Sequence, residues 1–288
     1  MNSPLVTVLC MCYNHARFVT EAIDSVFSQT YPYIQLIVVD DGSADDSAHV
    51  ISRRLADCSE VLFLKHSHNQ GYCASLNEAL RHAKGEFVID LAGDDVLLPQ
   101  RVESGVGELI RKGERYGISF SDAILMTESG EHVGLHSANF PHATIPTGDI
   151  YAEIISRYFI CPPTLMFRRF VIERIGGYDE SLAFEDFDFL IRASRDFYFT
   201  YSRQPLVKRR VVKNSMSAQQ FKRNSPQRWS TYQVCLKIKD LNRSPIEKQA
   251  LKKRLLYEVM VSTRLLEFRL ATRFVQLLVS VVFTRQHT

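Results

Sequence analysis

Residues 5–91 alternate short, near-continuous apolar runs with amphipathic segments, and this alternation narrows the fold more than any other feature of the chain. The runs are Leu5–Cys12, Ile34–Val39, Val61–Leu64 and Phe87–Leu91, all short and almost purely aliphatic or aromatic. A strand that lacks alternation between apolar and polar residues is buried on both faces, as in a parallel sheet covered by helices. Between the runs, Ala16–Ser28 sets Phe18, Val19, Ala22, Ile23, Val26 and Phe27 on one helical stripe. Ser47–Leu55 and Tyr72–Ala83 read as two further helices, with Gly85 placed to cap the second. The class is therefore α/β, with strands that follow one another in parallel. In such sheets ligands gather beyond the carboxyl ends of the strands. The polar clusters of the sequence stand there: Tyr13-Asn14-His15, Asp40-Asp41-Gly42-Ser43 and Asp94-Asp95.

The second half has a mixed pattern. Gly117–Met126, Thr164–Phe167, Phe197–Tyr201 and Leu206–Val212 read as strands, and Glu128-Ser129-Gly130 turns the first toward a partner in Glu131–His136. Ile150–Tyr158, Phe170–Ile175 and Phe184–Ser194 read as helices; Gly176-Gly177 stops the second, and Glu185-Asp186 opens the third. From residue 216 onward the chain turns helical and basic. Residues 216–288 hold 14 Lys/Arg against 4 Asp/Glu, a net of +10, whereas residues 1–215 hold 21 against 28, a net of −7. Ser244-Pro245-Ile246-Glu247 is a capping box with proline at the first helical position. Arg264, Arg269 and Arg273 then flank Leu265-Leu266, Phe268, Leu270 and Phe274–Phe283. A basic helix of this kind either packs on the body or on a second copy through residues 245–285, the favoured reading, or lies in a membrane interface.

Several function classes are excluded. The turn after the first strand is Tyr13-Asn14-His15, not a G-x-G-x-x-G fingerprint, and no G-x-x-x-x-G-K-[ST], G-x-S-x-G or H-E-x-x-H occurs. The cysteines (10, 12, 58, 73, 161, 235) are scattered, and Cys10-x-Cys12 lies in a buried strand, so packing is expected rather than zinc ligation. His66 and His68 are expected at the surface or at a hinge. The longest strongly apolar stretch, Phe274–Phe283, is about half the ~20 residues a spanning helix needs. With no leader pattern before Leu5, the expectation is a cytoplasmic protein, peripheral at the inner face of the plasma membrane if its tail binds lipid.

Adjacent carboxylates repel, so a pair needs either a structural acceptor role or a cation. Asp94-Asp95 at a strand end suits a hard divalent ion, Mg²⁺ or Mn²⁺, which takes one or two carboxylates and completes its shell with substrate phosphates. Each acidic pair also has a plain structural reading. Asp94-Asp95 could cap the helix near Pro99, Asp40-Asp41 could form a turn, and Glu185-Asp186 could complement a helix dipole.

The ordered set of segments closely resembles family 2 glycosyltransferases. Tyr13-Asn14-His15, Glu21–Pro32, Leu36–Ser43, Asn69-Gln70-Gly71, Ala83–Phe87, Gly93-Asp94-Asp95 with Pro99, Arg168-Arg169, Gly176–Glu180, Glu185-Asp186 and Asn214-Ser215-Met216-Ser217 carry the likeness, over roughly residues 4–217. The resemblance implies a GT-A fold: a mixed, mainly parallel central sheet, here with a helical C-terminal extension. It implies a catalytic domain over 1–215, with a nucleotide-sugar half of about 1–99 and an acceptor half of about 100–215, followed by an extension over 216–288. It implies inverting transfer of one sugar from a nucleotide-diphosphate sugar, commonly UDP-linked, to a glycan or lipid-linked glycan in surface polysaccharide or other glycoconjugate synthesis. By the same resemblance, Tyr13, Asn14, Asp40, Asp41, Asn69, Gly71 and Asp94 contact the donor. Asp94 and Asp95 hold the cation, Asp186 is the general base, and Glu185, Gly177 and Tyr178 lie near donor or acceptor. Nucleic acid is not an expected partner.

The chain departs from the family pattern at three places. Ala92 replaces the first acid of the usual metal motif, Met11 replaces a frequent proline, and Val212 replaces a frequent histidine. The Gln-x-x-Arg-Trp motif of processive members is missing: Arg228-Trp229 is present, but Ser225 holds the glutamine position. The alternatives are a non-catalytic nucleotide-sugar-binding or scaffold relative and, more distantly, a nucleotidyltransferase.

Overall fold

All seven residues of strand β1 (Val6–Cys12) are buried, which accounts for the missing alternation. In the computed structural model, which describes residues 3–140, 144–212 and 222–283, β1 runs parallel to β2 (Ile34–Asp40) on one side and to β4 (Phe87–Ala92) on the other. Strand β3 (Leu62–Lys65) extends the parallel set beyond β2. Helices α1 (Val19–Phe27), α2 (Ser47–Arg54) and α4 (Arg101–Lys112) bring Val19, Ile23, Ile51, Val102 and Leu109 into one core with Val6, Val8 and Cys10 of β1. Helix α3 (Tyr72–His82) packs on β1 and β2 through Cys73, Leu76 and Ala79.

The sheet then becomes mixed. Its order is β3-β2-β1-β4-β8-β6-β9-β5, where β5 is Val96–Leu97, β6 Tyr116–Met126, β8 Met166–Arg168 and β9 Tyr198–Arg210. Strand β7 (His132–Leu135) pairs with β6 as the expected hairpin. Strands β4 and β8, β8 and β6, and β5 and β9 are antiparallel, and β6 and β9 are parallel.

Four local expectations are corrected. The first helix starts at Val19, not Ala16: residues 16–18 form a turn in which Phe18 N and Val19 N both donate to His15 O, while His15 N donates to Ser47 Oγ and Ala16 N to Asp45 Oδ2. Gly85 does not cap α3, whose C-cap is the extended Ala83. Glycine is required at 85 by close approach, since a Cβ there would lie 2.4 Å from the Thr7 nitrogen. The Phe197–Tyr201 and Leu206–Val212 runs belong to one strand, and the break at Arg203-Gln204-Pro205 is absorbed as a bulge where Ser121 pairs Ser202 but Asp122 pairs Pro205. Thr164 closes a 3₁₀ turn over Pro162–Thr164, so β8 begins only at Met166.

The elements so far form one compact unit of Met1–Gly148, Ile160–Glu180 and Phe197–Val211, including helix α6 (Arg169–Ile175). A second unit gathers Asp149–Phe159, Ser181–Asp196 and Val212–Thr288. Its helices are α5 (Tyr151–Ser156), α7 (Glu185–Ala193), α8 (Pro226–Leu241), α9 (Pro245–Arg264) and α10 (Phe268–Phe283). Thus two segments from within residues 1–215 pack with the basic tail. The capping box forms as read, with Ser244 Oγ accepting from Glu247 N. Arg228, the arginine of the processive-motif lookalike, lies inside this unit: it donates to Glu267 Oε2 at 2.9 Å, Glu258 Oε2 at 2.9 Å and Ser262 Oγ at 2.6 Å. None of the six cysteines forms a disulfide, and burial pushes the Cys12 thiol up to about 11, as suits packing residues.

Candidate functional site

Register brings the polar clusters of the first unit together. Cys12 pairs with Asp40 and Met11 with Ala92, so Tyr13, Asp41 and Gly93-Asp94 leave the sheet at one edge. The edge loops are cross-linked by side chains. Asn14, at φ 59°, accepts from Ala44 N at 2.8 Å and Asp45 N at 3.3 Å, and its own N–H donates to Ser43 Oγ at 2.9 Å. Asp40 accepts from Ser43 Oγ at 2.5 Å and Ser43 N at 3.3 Å, the turn role its sequence allowed. Tyr13 remains 44% exposed, presenting a ring at the edge.

Asp41 is a buried acceptor. Its two oxygens take the N–H groups of Gln70 at 2.8 Å and Gly71 at 3.1 Å, which fixes the loop entering α3, and Asn69 Oδ1 also accepts from Gly71 N at 2.9 Å. His66 corrects the surface expectation. Its side chain is only 6% exposed; Nδ1 lies 3.0 Å from Asp41 Oδ1, and Nε2 lies 3.1 Å from Glu78 Oε2, within ion-pair distance but outside hydrogen-bond geometry. His68 is exposed as expected. Periodicity could not separate the two histidines, because only the partners beneath them differ.

The structure divides the Asp94-Asp95 pair. Asp95 is buried and accepts from Arg210 N at 2.8 Å, tying the turn to β9. Burial, with Asp94 beside it, drives its carboxyl well above the usual range. Asp94 is half-buried, and among the described residues no donor reaches its carboxylate. Neither acid caps α4, whose N-cap is Gln100. Arg210 was not singled out by sequence. Its buried guanidinium donates to the main-chain oxygens of Asp94, Thr127 and Glu128 and to Glu21 Oε2, and it lies 4.5 Å from the Phe18 ring centroid. The pairing of β9 with β5 on one side and with β6 on the other, where Met126 lies opposite Arg210, brings it there.

Among the described residues no cluster of three His, Cys, Asp or Glu is built for a metal. One carboxylate with open oxygens is nevertheless what Mg²⁺ or Mn²⁺ uses when phosphates and water supply the rest of the shell. The residues fit such an ion, with Asp94 as the available ligand and Asp95 engaged by the backbone.

The remaining candidates occur in two places. In the first unit, Asn77 accepts from Tyr178 N at 3.0 Å and donates to Tyr178 O at 2.9 Å. The preceding Gly177 sits at φ 74°, in the left-handed region that disfavours a side chain. In the second unit, Glu185 and Asp186 open α7; Glu185 is buried, which raises its carboxyl, and Asp186 is half-buried. Asp188, not singled out by sequence, is buried and bridges Arg192 at 2.7 Å and Lys237 at 2.8 Å. The Asn214–Ser217 segment lies outside the described residues.

The model of Glycosyl transferase family 2 matches residues 7–176, more than half of the chain. EpsE of Bacillus subtilis, named a glycosyltransferase by inference, is 27% identical over 245 residues, covering 83% of this chain and 85% of that one. An uncharacterized glycosyltransferase of Rickettsia prowazekii is 27% identical over 210 residues, covering 73% of this chain but 64% of its own length. Among solved structures, the mannosyltransferase PcManGT of Pyrobaculum calidifontis, in complex with GDP-Man and Mn²⁺, superposes with a TM-score of 0.67 at 16% identity, covering 99% of this chain and 89% of that one. TarS 1–349 of S. aureus, in complex with UDP-GlcNAc, superposes with a TM-score of 0.72 at 16% identity, covering 96% and 81%. With its GT-A fold and the matched segment running from β1 to the end of α6, the chain belongs to glycosyl transferase family 2.

Proposed function

We propose that this glycosyltransferase moves one sugar from a nucleotide-diphosphate sugar, most naturally UDP-linked, to an acceptor hydroxyl, with inversion at the anomeric carbon. The observation that supports this reading best is the cross-linked edge of the first unit. There Tyr13 offers a ring, Asp41 a rigidly held loop, and Asp94 an uncommitted carboxylate, all beyond the carboxyl ends of parallel strands. The neighbours solved with GDP-Man and UDP-GlcNAc agree with a donor of this class.

In this reading Tyr13, Asn14, Asp40, Asp41, Asn69 and Gly71 shape the nucleotide end. Asp94, with Asp95 behind it, would hold a divalent cation, which when bound stabilises the charge of a leaving diphosphate. Asp186 takes the proton of the acceptor hydroxyl, a contribution worth about 10²–10⁴ in rate. Glu185, Gly177 and Tyr178 border the sugar or the acceptor. The acceptor class is a glycan or lipid-linked glycan of the kind assembled into surface polysaccharide.

A thermal-shift panel of nucleotide sugars with Mn²⁺ tests the donor, since a specific binder stabilises the fold by mass action. Transfer assays of wild type and Asp186→Ala then test the base. A panel with no stabilising donor would sink the reading. Ala92 and the engagement of Asp95 by Arg210 favour one second reading, a relative that binds donor without turnover. Donor binding without product across an acceptor screen would identify it.

A further inference from the structure

The second unit has an outer face that its fold leaves uncovered. Helix α10 buries Leu270, Phe274, Leu277 and Val281, yet it is apolar on a second side as well. Phe268, Val275, Val279 and Val282 are 64%, 42%, 49% and 45% exposed, and at 100° per residue they fall within one stripe. Beside this helix, α5, α9 and α10 enclose an open groove of about 720 Å³ whose apolar lining includes Ile246 and Leu256, 73% and 59% exposed, with Leu278 and Val282. Lys252 and Lys253 line the same groove, and Glu153 on α5 is its one acid.

The charge on these helices is one-sided. The acids of residues 242–283 are Glu247, Glu258 and Glu267, and all three are in ion pairs, with Arg195, Arg228 and Arg228 respectively. Lys253 and Arg264 are exposed and, at 100° per residue, lie on the side of α9 that carries Ile246 and Leu256, whereas the exposed Arg269 and Arg273 fall on a different flank of α10. The face thus combines exposed aliphatic and aromatic side chains with cations and almost no opposing charge. A second copy docked through the same patch would set cation against cation. A negatively charged bilayer surface meets both features: headgroup phosphates pair the cations, and the acyl boundary takes the apolar side chains. No helix among the described residues is long and apolar enough to cross a membrane, so the contact would lie along the surface.

We propose that the groove and exposed stripe of α5, α9 and α10 dock this protein on an anionic lipid bilayer. Vesicle binding reads no turnover, so the proposal stands or falls separately from the transfer reaction. The test is co-sedimentation of the full chain with phosphatidylcholine vesicles, with and without phosphatidylglycerol, at low and high salt.

Wild type is expected to bind the anionic vesicles, weakly or not at all the neutral ones, and less as salt rises. Each cation near the surface is worth about fivefold, so Lys252→Gln with Lys253→Gln should weaken binding about 25-fold. Ile246→Ser with Leu256→Ser should weaken it at least about tenfold, from the lost apolar groups. All four side chains line an open groove, and an unchanged melting temperature verifies folding of each pair. The proposal is overturned if wild type ignores anionic vesicles, or if both pairs bind as wild type does. It is equally overturned if sedimentation velocity shows a dimer that Ile246→Ser with Leu256→Ser dissolves, which would make the groove a contact between copies.

Discussion

Replacing Arg210 by methionine tests whether the turn that carries Asp94 is held from β9. The main-chain N–H to Asp95 survives this change, so only the guanidinium contacts are removed. Three of these go to main-chain oxygens, of Asp94 at 3.0 Å, Thr127 at 3.2 Å and Glu128 at 3.1 Å. Hydrogen bonds from a charged donor contribute about 1.5–3 kcal/mol each, though they are not additive within one side chain. The fourth contact, to Glu21 at 2.6 Å, involves a carboxylate that is 52% exposed, and screening limits it to about 1 kcal/mol or less. Methionine keeps much of the packing on Phe18 but leaves the carbonyls to water that must enter a buried site. The expected loss is about 3–5 kcal/mol, the range found when one partner of a buried charged network is removed. Urea unfolding measures it, from the midpoint shift at constant m. Glu21→Gln is the internal comparison and should cost no more than about 1 kcal/mol. A loss below about 1 kcal/mol for Arg210→Met, or equal losses for the two variants, would refute the assignment of Arg210 as the anchor. The folded fraction of Arg210→Met should also show a raised donor KM, because the Asp94 turn loses its tether.

Four further outcomes are expected. Asp94→Asn should abolish the Mn²⁺ dependence of donor binding in calorimetry with little change in melting temperature, since no donor reaches that carboxylate among the described residues. Asp186→Ala should lower the transfer rate by about 10²–10⁴ while donor affinity persists; an unchanged rate removes it as base. Glu185 has a carboxyl raised by burial, so its contribution to stability is complete below the ordinary value near 4.5 and is lost as pH rises toward the folded value. Glu185→Gln should therefore gain on wild type in melting temperature between pH 4 and pH 8, and a gap that narrows over that range contradicts the burial argument. Gly85→Ala puts a Cβ 2.4 Å from the main-chain nitrogen of Thr7, where no flexible side chain can yield, and should cost at least about 1–3 kcal/mol by thermal unfolding.

Some of this protein is written locally, and some exists only once the chain has folded. Four near-continuous apolar runs separated by amphipathic segments demanded a parallel layer covered by helices, because burial on both faces removes alternation. Ser244 and Glu247 are three residues apart and satisfy each other without outside help, so that helix start was legible too. Asp40, Asp41, Asp94 and Asp95 were visible as acids at strand ends, but their different duties were not. Asp41 holds amides nearly 30 residues away, and Asp95 holds one 115 residues away, separations that no local pattern encodes. The same holds for His66, read as a surface or hinge residue and found with its side chain buried between Asp41 and Glu78, and for Arg210, which ties three segments of the first unit to β9. The sequence by itself determined the layer, its strands and the edge where chemistry gathers, since periodicity and burial are local properties. Which acid is spent on the backbone and which keeps its oxygens unengaged was decided only by the tertiary structure, because long-range pairing chooses each carboxylate's partner.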